Sequence, residues 1–103
     1  MAELMTVAKT SELGPGQAKA VDVKGTPVAI FNVGGTYYAI EDTCPHVGGP
    51  LSEGAVEGTV VNCPWHGAQF DLASGKVLTP PAAAGVKSYQ VQVQGGEIKL
   101  EVT

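Results

Sequence analysis

The sequence predicts an all-β fold: an antiparallel sandwich or barrel with a smaller lobe inserted near its middle. Three observations lead there. Apolar residues alternate with polar ones in several short runs, Gly-Gly pairs punctuate two of those runs, and no stretch holds a helical period for long. At 103 residues the chain has the length of one domain, 1–103, small enough that a bound metal centre adds useful stability.

The elements follow in order. Ser11-Glu12-Leu13-Gly14 has room for a single turn at most. Gln17 to Val23 reads as a first strand and Thr26 to Val33 (TPVAIFNV) as a stronger second one. Gly34-Gly35 supplies a two-residue turn whose positions both want positive φ, and Thr36 to Glu41 (TYYAIE) returns as the third strand. Ser88 to Gln94 (SYQVQVQ) alternates cleanly, Gly95-Gly96 turns, and Glu97 to Val102 pairs back. Between these hairpins the pattern changes. Residues 43–81 are rich in Pro and Gly and contain every Cys and His of the chain. Short strands fit Thr59 to Asn62 and Gln69 to Leu72, with a turn at Ser74-Gly75. Thr79-Pro80-Pro81 and the following alanines read as an extended crossover back to the outer sheet.

Charge and composition exclude several functions. The formal net charge is −4 and all basic residues are Lys, so no basic stripe exists to meet nucleic-acid phosphates. A mildly acidic surface suits docking on a basic partner, although solubility alone explains it equally well. No apolar run approaches the roughly 20 residues of a membrane span. The first residues, Met1-Ala2-Glu3-Leu4-Met5, lack the features of a secretory signal, which places the expected location in the cytoplasm. In that reducing compartment two cysteines favour metal ligation over a disulfide.

The chemistry-bearing text is Cys44-Pro45-His46 and Cys63-Pro64-Trp65-His66, a C-x-H followed by a C-x-x-H. Two Cys and two His in paired short spacings form a metal-ligand set. Each half follows a predicted strand and runs into a Pro- and Gly-rich loop, so two loops at one end of a sheet grip the metal from both sides. A structural zinc site is the bland alternative, but zinc fingers pair Cys with Cys and His with His, whereas each half here mixes the two. A Cys–His nucleophile needs only one of each. Trp65 suits shielding, docking or plain packing. Tyr37, Tyr38 and Tyr89 read as sheet residues. Glu41, Asp42, Glu53 and Glu57 form a conceivable docking rim, or simply a solvated surface.

This text resembles the Rieske proteins. Gly48-Gly49-Pro50-Leu51 and Gly67-Ala68-Gln69-Phe70-Asp71 also look like the loops of that family. The resemblance implies a Rieske-like β fold with a cluster-binding lobe at about 43–81, holding one [2Fe–2S] cluster. By that resemblance the Cys44 and Cys63 thiolates hold one iron, and His46 and His66 hold the other through Nδ1. Neutral imidazoles in place of two thiolates make reduction easier, giving Rieske potentials of about −150 to +300 mV against about −400 mV for all-Cys plant-type clusters.

Departures from one branch are informative. Respiratory-complex Rieske proteins join their loops by an extra disulfide, where this chain has Gly49 and Trp65. They also place Ser and Tyr hydroxyls near the cluster, where this chain has Ala68 and Phe70. Fewer hydrogen bonds to sulfur leave the reduced state less stabilised, which predicts a potential below about 0 mV.

The pattern is similar to the soluble Rieske ferredoxins of bacterial aromatic-ring-hydroxylating oxygenases. That resemblance implies a monomeric electron carrier, not an enzyme. Its partners are a flavin-dependent NAD(P)H ferredoxin reductase and a terminal oxygenase. With both His already assigned, no second His/carboxylate set remains for a mononuclear iron. The competing expectations are a Rieske-like small subunit of an assimilatory nitrite reductase and a zinc-binding interaction module.

Overall fold

The computed structural model describes residues 3–42, 50–64, 68–79 and 85–102. The strands are β1 (Glu3–Lys9), β2 (Ala18–Val23), β3 (Thr26–Val33), β4 (Thr36–Glu41), β5 (Val56–Glu57), β6 (Val60–Asn62), β7 (Gln69–Asp71), β8 (Val77–Thr79), β9 (Ser88–Tyr89), β10 (Val91–Gln94) and β11 (Glu97–Val102). Two single 3₁₀ turns, Thr10–Glu12 and Leu51–Glu53, complete the regular structure, and no α-helix occurs among the described residues.

The strands form three antiparallel sheets, ordered β1-β11-β10, β2-β3-β4-β9 and β5-β6-β7-β8. The middle sheet is covered on both faces. Val28 and Ile30 of β3 and Ala39 of β4 pack with Ala8, Leu13, Ile98 and Leu100 on the side of the first sheet. Ala29 and Phe31 of β3 and Ile40 of β4 point the other way, into a core with Leu51, Val61, Cys63, Ala68, Phe70 and Leu72. Two-sided burial explains why β3 reads as a nearly continuous apolar run rather than a strict alternation. It also means that the small third sheet is seated on the main sandwich through a shared apolar core.

Both predicted Gly-Gly turns form. Gly34 and Gly35 have φ of +60° and +97°, and Gly95 and Gly96 have +58° and +78°, where a β-carbon would be strained. Asn32 locks the first hairpin from inside. Its buried side chain donates to the Leu13 carbonyl at 2.9 Å and accepts the Gly35 N–H at 2.8 Å.

Three differences from the sequence expectation have physical causes. β1 is unanticipated because its pairing with β11 shifts register between Thr6 and Ala8, a bulge that destroys the period of two. β5 and β8 are only two and three residues long, too short to show a period. The run from Ser88 to Gln94 is not one strand. Its first part pairs with β4 in the middle sheet and its second with β11 in the first, the break falling at Gln90. Alternation records burial, not the identity of the partner strand. The expected crossover at Pro80, Pro81 and the alanines lies outside the described residues.

Candidate metal centre

The two predicted ligand loops grow from the ends of β4 and β6. Asp42, the residue after β4, secures the first. Its N–H donates to the Pro27 carbonyl at 3.0 Å, and its carbonyl accepts the Leu51 N–H at 2.6 Å. Its side-chain Oδ1 accepts the Ser52 N–H at 2.7 Å. The chain between 42 and 51, which carries Cys44 and His46, is thus closed at its base. Beyond it the Leu51–Glu53 turn is anchored by the fully buried Leu51 side chain.

The second loop has a matching closure. The Cys63 N–H donates to the Ala68 carbonyl at 2.7 Å, which pins the two ends of the segment that carries His66 in sequence, between β6 and β7. The exit of the first loop is bonded to the entry of the second. Asn62 N–H donates to the Ala55 carbonyl at 2.8 Å, and Gln69 Nε2 donates to Asn62 Oδ1 at 3.0 Å. Gly54 lies directly against the Asn62 carbonyl, in space that a β-carbon would fill. A third segment returns to the same base. The Glu41 N–H donates to the Lys87 carbonyl at 2.9 Å, and Glu41 Oε1 accepts the Lys87 N–H at 2.8 Å. Beside this junction, burial and the Glu41 charge push the Tyr89 phenol above its usual pKa, and Lys87 Nζ lies 5.1 Å from the ring centroid.

Of the four predicted ligands, Cys63 is described. It is a free thiol, 3% exposed, in the apolar core with Leu51, Val61, Ala68 and Phe70. Cys44, His46 and His66 lie outside the described residues, as do Trp65, Gly48, Gly49 and Gly67. Among the described residues no group of three or more metal-ligating side chains exists. The residues present fit an iron–sulfur cluster: an unpaired thiol stands at the root of a loop bearing a His, bonded through Asn62 to the exit of a second Cys- and His-bearing loop. Ala68 and Phe70 are fully buried beside Cys63 and bring no hydroxyl to that environment.

One expectation needs correcting. Asp42 is not a docking-rim residue: it is 8% exposed, and its carboxylate is turned inward onto the Ser52 N–H. Glu53 and Glu57 are exposed, and Glu41 is half-buried. The sequence reading missed two positions that shape the site, the Asp42 clasp and the Gly54 contact. Their partners lie ten and eight residues away, beyond any local motif.

A β sandwich with a small seated sheet and two loops rooted side by side defines the class. The chain belongs to the Rieske [2Fe-2S] domain family, whose model matches residues 3–90. It is 36% identical over 95 residues to "Ferredoxin CarAc" of Metapseudomonas resinovorans, covering 91% of this chain and 89% of the relative. It is 40% identical over 93 residues to the 3-phenylpropionate/cinnamic acid dioxygenase ferredoxin subunit of Escherichia coli K12, covering 89% and 87%. Among solved structures it superposes on a chain from a complex of reduced oxygenase and oxidized ferredoxin in carbazole 1,9a-dioxygenase. The TM-score is 0.87 at 34% identity, over 95% of this chain and 92% of that one. The fold extends further, to a chain assigned as the small subunit of an NADH-dependent nitrite reductase in Mycobacterium tuberculosis. That match has a TM-score of 0.90 at 25% identity, over 100% of this chain and 97% of that one. No helix among the described residues is long and apolar enough to cross a membrane.

Proposed function

We propose that this chain is a one-electron carrier serving a ring-hydroxylating oxygenase, with Cys44, His46, Cys63 and His66 holding one [2Fe–2S] cluster in a lobe at about 43–81. The observation that carries the reading is the buried free thiol of Cys63 at the root of a loop bonded to the Cys44- and His46-bearing loop. It occurs in a chain that is 36% and 40% identical to ferredoxin components of dioxygenase systems over 91% and 89% of its residues. Fold similarity alone does not separate this role from that of a nitrite reductase small subunit. The higher identity to the dioxygenase ferredoxins, together with the complete Cys₂His₂ text, favours the carrier.

When bound, the cluster supplies reversible one-electron chemistry in the Rieske range. The chain's own contribution is to fix the two loops from below and to keep the Cys63 side of the site dry. Ala68 and Phe70 withhold hydroxyl donors, which places the potential below about 0 mV. A flavin-dependent NAD(P)H reductase is the donor and a terminal oxygenase the acceptor; catalysis belongs to them.

Anaerobically purified protein should be reddish-brown and give a Rieske EPR signal only on reduction. It should also restore turnover to a reductase and oxygenase pair. Cys63→Ser should lose the cluster. A colourless protein with stoichiometric zinc, or a strongly positive potential, would sink the reading. Co-purification with a haem- and flavin-bearing enzyme would transfer the chain to nitrite reduction.

A further inference from the structure

We propose that Asp42 is a positioning residue for the metal centre, a clasp whose side-chain oxygen sets the exit of the first ligand loop against the entry of the second. The proposal rests on the ligand assignment made above.

Three hydrogen bonds converge on this one residue, and they tie it to two segments: β3 through Pro27, and the Leu51–Glu53 turn through both the Leu51 N–H and, at Oδ1, the Ser52 N–H. Two of the three use the backbone of Asp42, so any residue but proline at position 42 keeps them. Only the third depends on the side chain. It is a hydrogen bond to a backbone N–H in a site 92% shielded from solvent, since the residue is 8% exposed. A backbone donor so shielded is costly to leave without its acceptor, whether that acceptor is a carboxylate or an amide oxygen.

What it holds is specific. Ser52 sits in the turn whose next residues, Gly54 and Ala55, touch and bond Asn62, the neighbour of Cys63. The path from Asp42 to the second loop is therefore Asp42 Oδ1 to Ser52, along two residues of chain, then across Gly54 and Ala55 to Asn62. Cys44 lies two residues beyond Asp42 on the other side. One side-chain oxygen thus links the stem of the Cys44 loop to the stem of the Cys63 loop through the protein alone. The structure separates acceptor geometry from charge: Asn at position 42 can present the same Oδ1, whereas Ala cannot.

The test compares wild-type, Asp42→Asn and Asp42→Ala holoproteins. Hydrogen exchange of the segment containing Leu51 and Ser52 reads the clasp, and the rate of iron release to a chelator, with the reduced-state EPR spectrum, reads the centre. Asp42→Asn should match wild type in exchange, iron release and g-values. Asp42→Ala should exchange Ser52 and release iron at least tenfold faster, with altered g-anisotropy. If Asp42→Ala cannot be isolated folded, Asp42→Asn still decides. Tenfold faster exchange and release in Asp42→Asn, despite its retained acceptor, would overturn the proposal, as would wild-type behaviour of Asp42→Ala. A cluster kept intact in Cys44→Ser would instead overturn the ligand assignment and leave the exchange result for the clasp standing.

Discussion

Gly54→Ala is the sharpest perturbation of the frame that positions the metal centre. Gly54 has an ordinary extended backbone, φ −78° and ψ 158°, so Ala incurs no conformational penalty there. The whole cost is steric. A β-carbon at 54 collides with the Asn62 carbonyl oxygen and approaches the Leu51 carbonyl oxygen to 3.2 Å. Both obstacles are backbone atoms, so no rotamer change relieves the clash, and the Leu51–Glu53 turn must lift away from β6. Overpacking of this kind costs about 3 kcal/mol, the upper end of its usual range, because rigid neighbours cannot yield. For a domain of about this size, 3 kcal/mol lowers the melting temperature by roughly 12–24 °C. Lifting the turn also strains the Asn62 to Ala55 bond, so cluster content should fall with stability. Gly95→Ala is the matched control. Gly95 has φ +58° with nothing within 4 Å of a β-carbon, so the substitution costs about 1–2 kcal/mol of backbone strain in the β10–β11 hairpin, which belongs to a different sheet from β5–β8. It should lower the melting temperature modestly and leave the iron content at wild-type level. Thermal melts followed by circular dichroism, with iron and sulfide assays on the same samples, measure both variants. A Gly54→Ala protein that melts within a few degrees of wild type and carries full iron refutes the close-approach reasoning.

Two further expectations concern potential and pH. Ala68→Ser places a hydroxyl beside Cys63 in the buried lobe core; one new hydrogen bond worth about 1.4 kcal/mol in the reduced state raises a one-electron potential by about 59 mV. An unchanged midpoint in a redox titration of a fully loaded variant would count against the missing-hydroxyl account of a low potential. Tyr89 is held neutral by burial and by Glu41, so its folded pKa lies above the usual 10.0. The unfolded phenol therefore loses its proton first as pH rises; the contribution is complete below about pH 10 and falls away above it. The stability difference between wild type and Tyr89→Phe in urea should stay constant up to that pH and then move against wild type, and a difference flat to about pH 11 would remove the assigned cause.

What could be read from the sequence divides along a physical line. The Gly-Gly turns, the strong β3 and β4 hairpin and the C-terminal hairpin are local. They depend on positive φ at the glycines and on side-chain alternation, both of which the residues themselves carry. β1 escaped because a bulge erased its period, and the continuous reading of Ser88 to Gln94 failed because a strand can change sheets without changing its pattern. The ligand text was legible for a different reason: Cys and His in paired short spacings carry their chemistry in their identities, whatever the fold.

The frame around the ligands has neither property. Asp42 and Gly54 are ordinary residues whose roles come entirely from what they touch, Ser52 in one case and the Asn62 carbonyl in the other. Asp42 even carries a misleading local signal, because an acidic residue beside Glu41 at a strand end reads as solvated surface until its burial is known. The same distinction says where variation should be tolerated. Residues that act through identity cannot be replaced without losing the metal. Residues that act through contact can be replaced by any side chain that preserves the contact, which is why Asn is expected to serve at 42 and nothing with a β-carbon is expected to serve at 54.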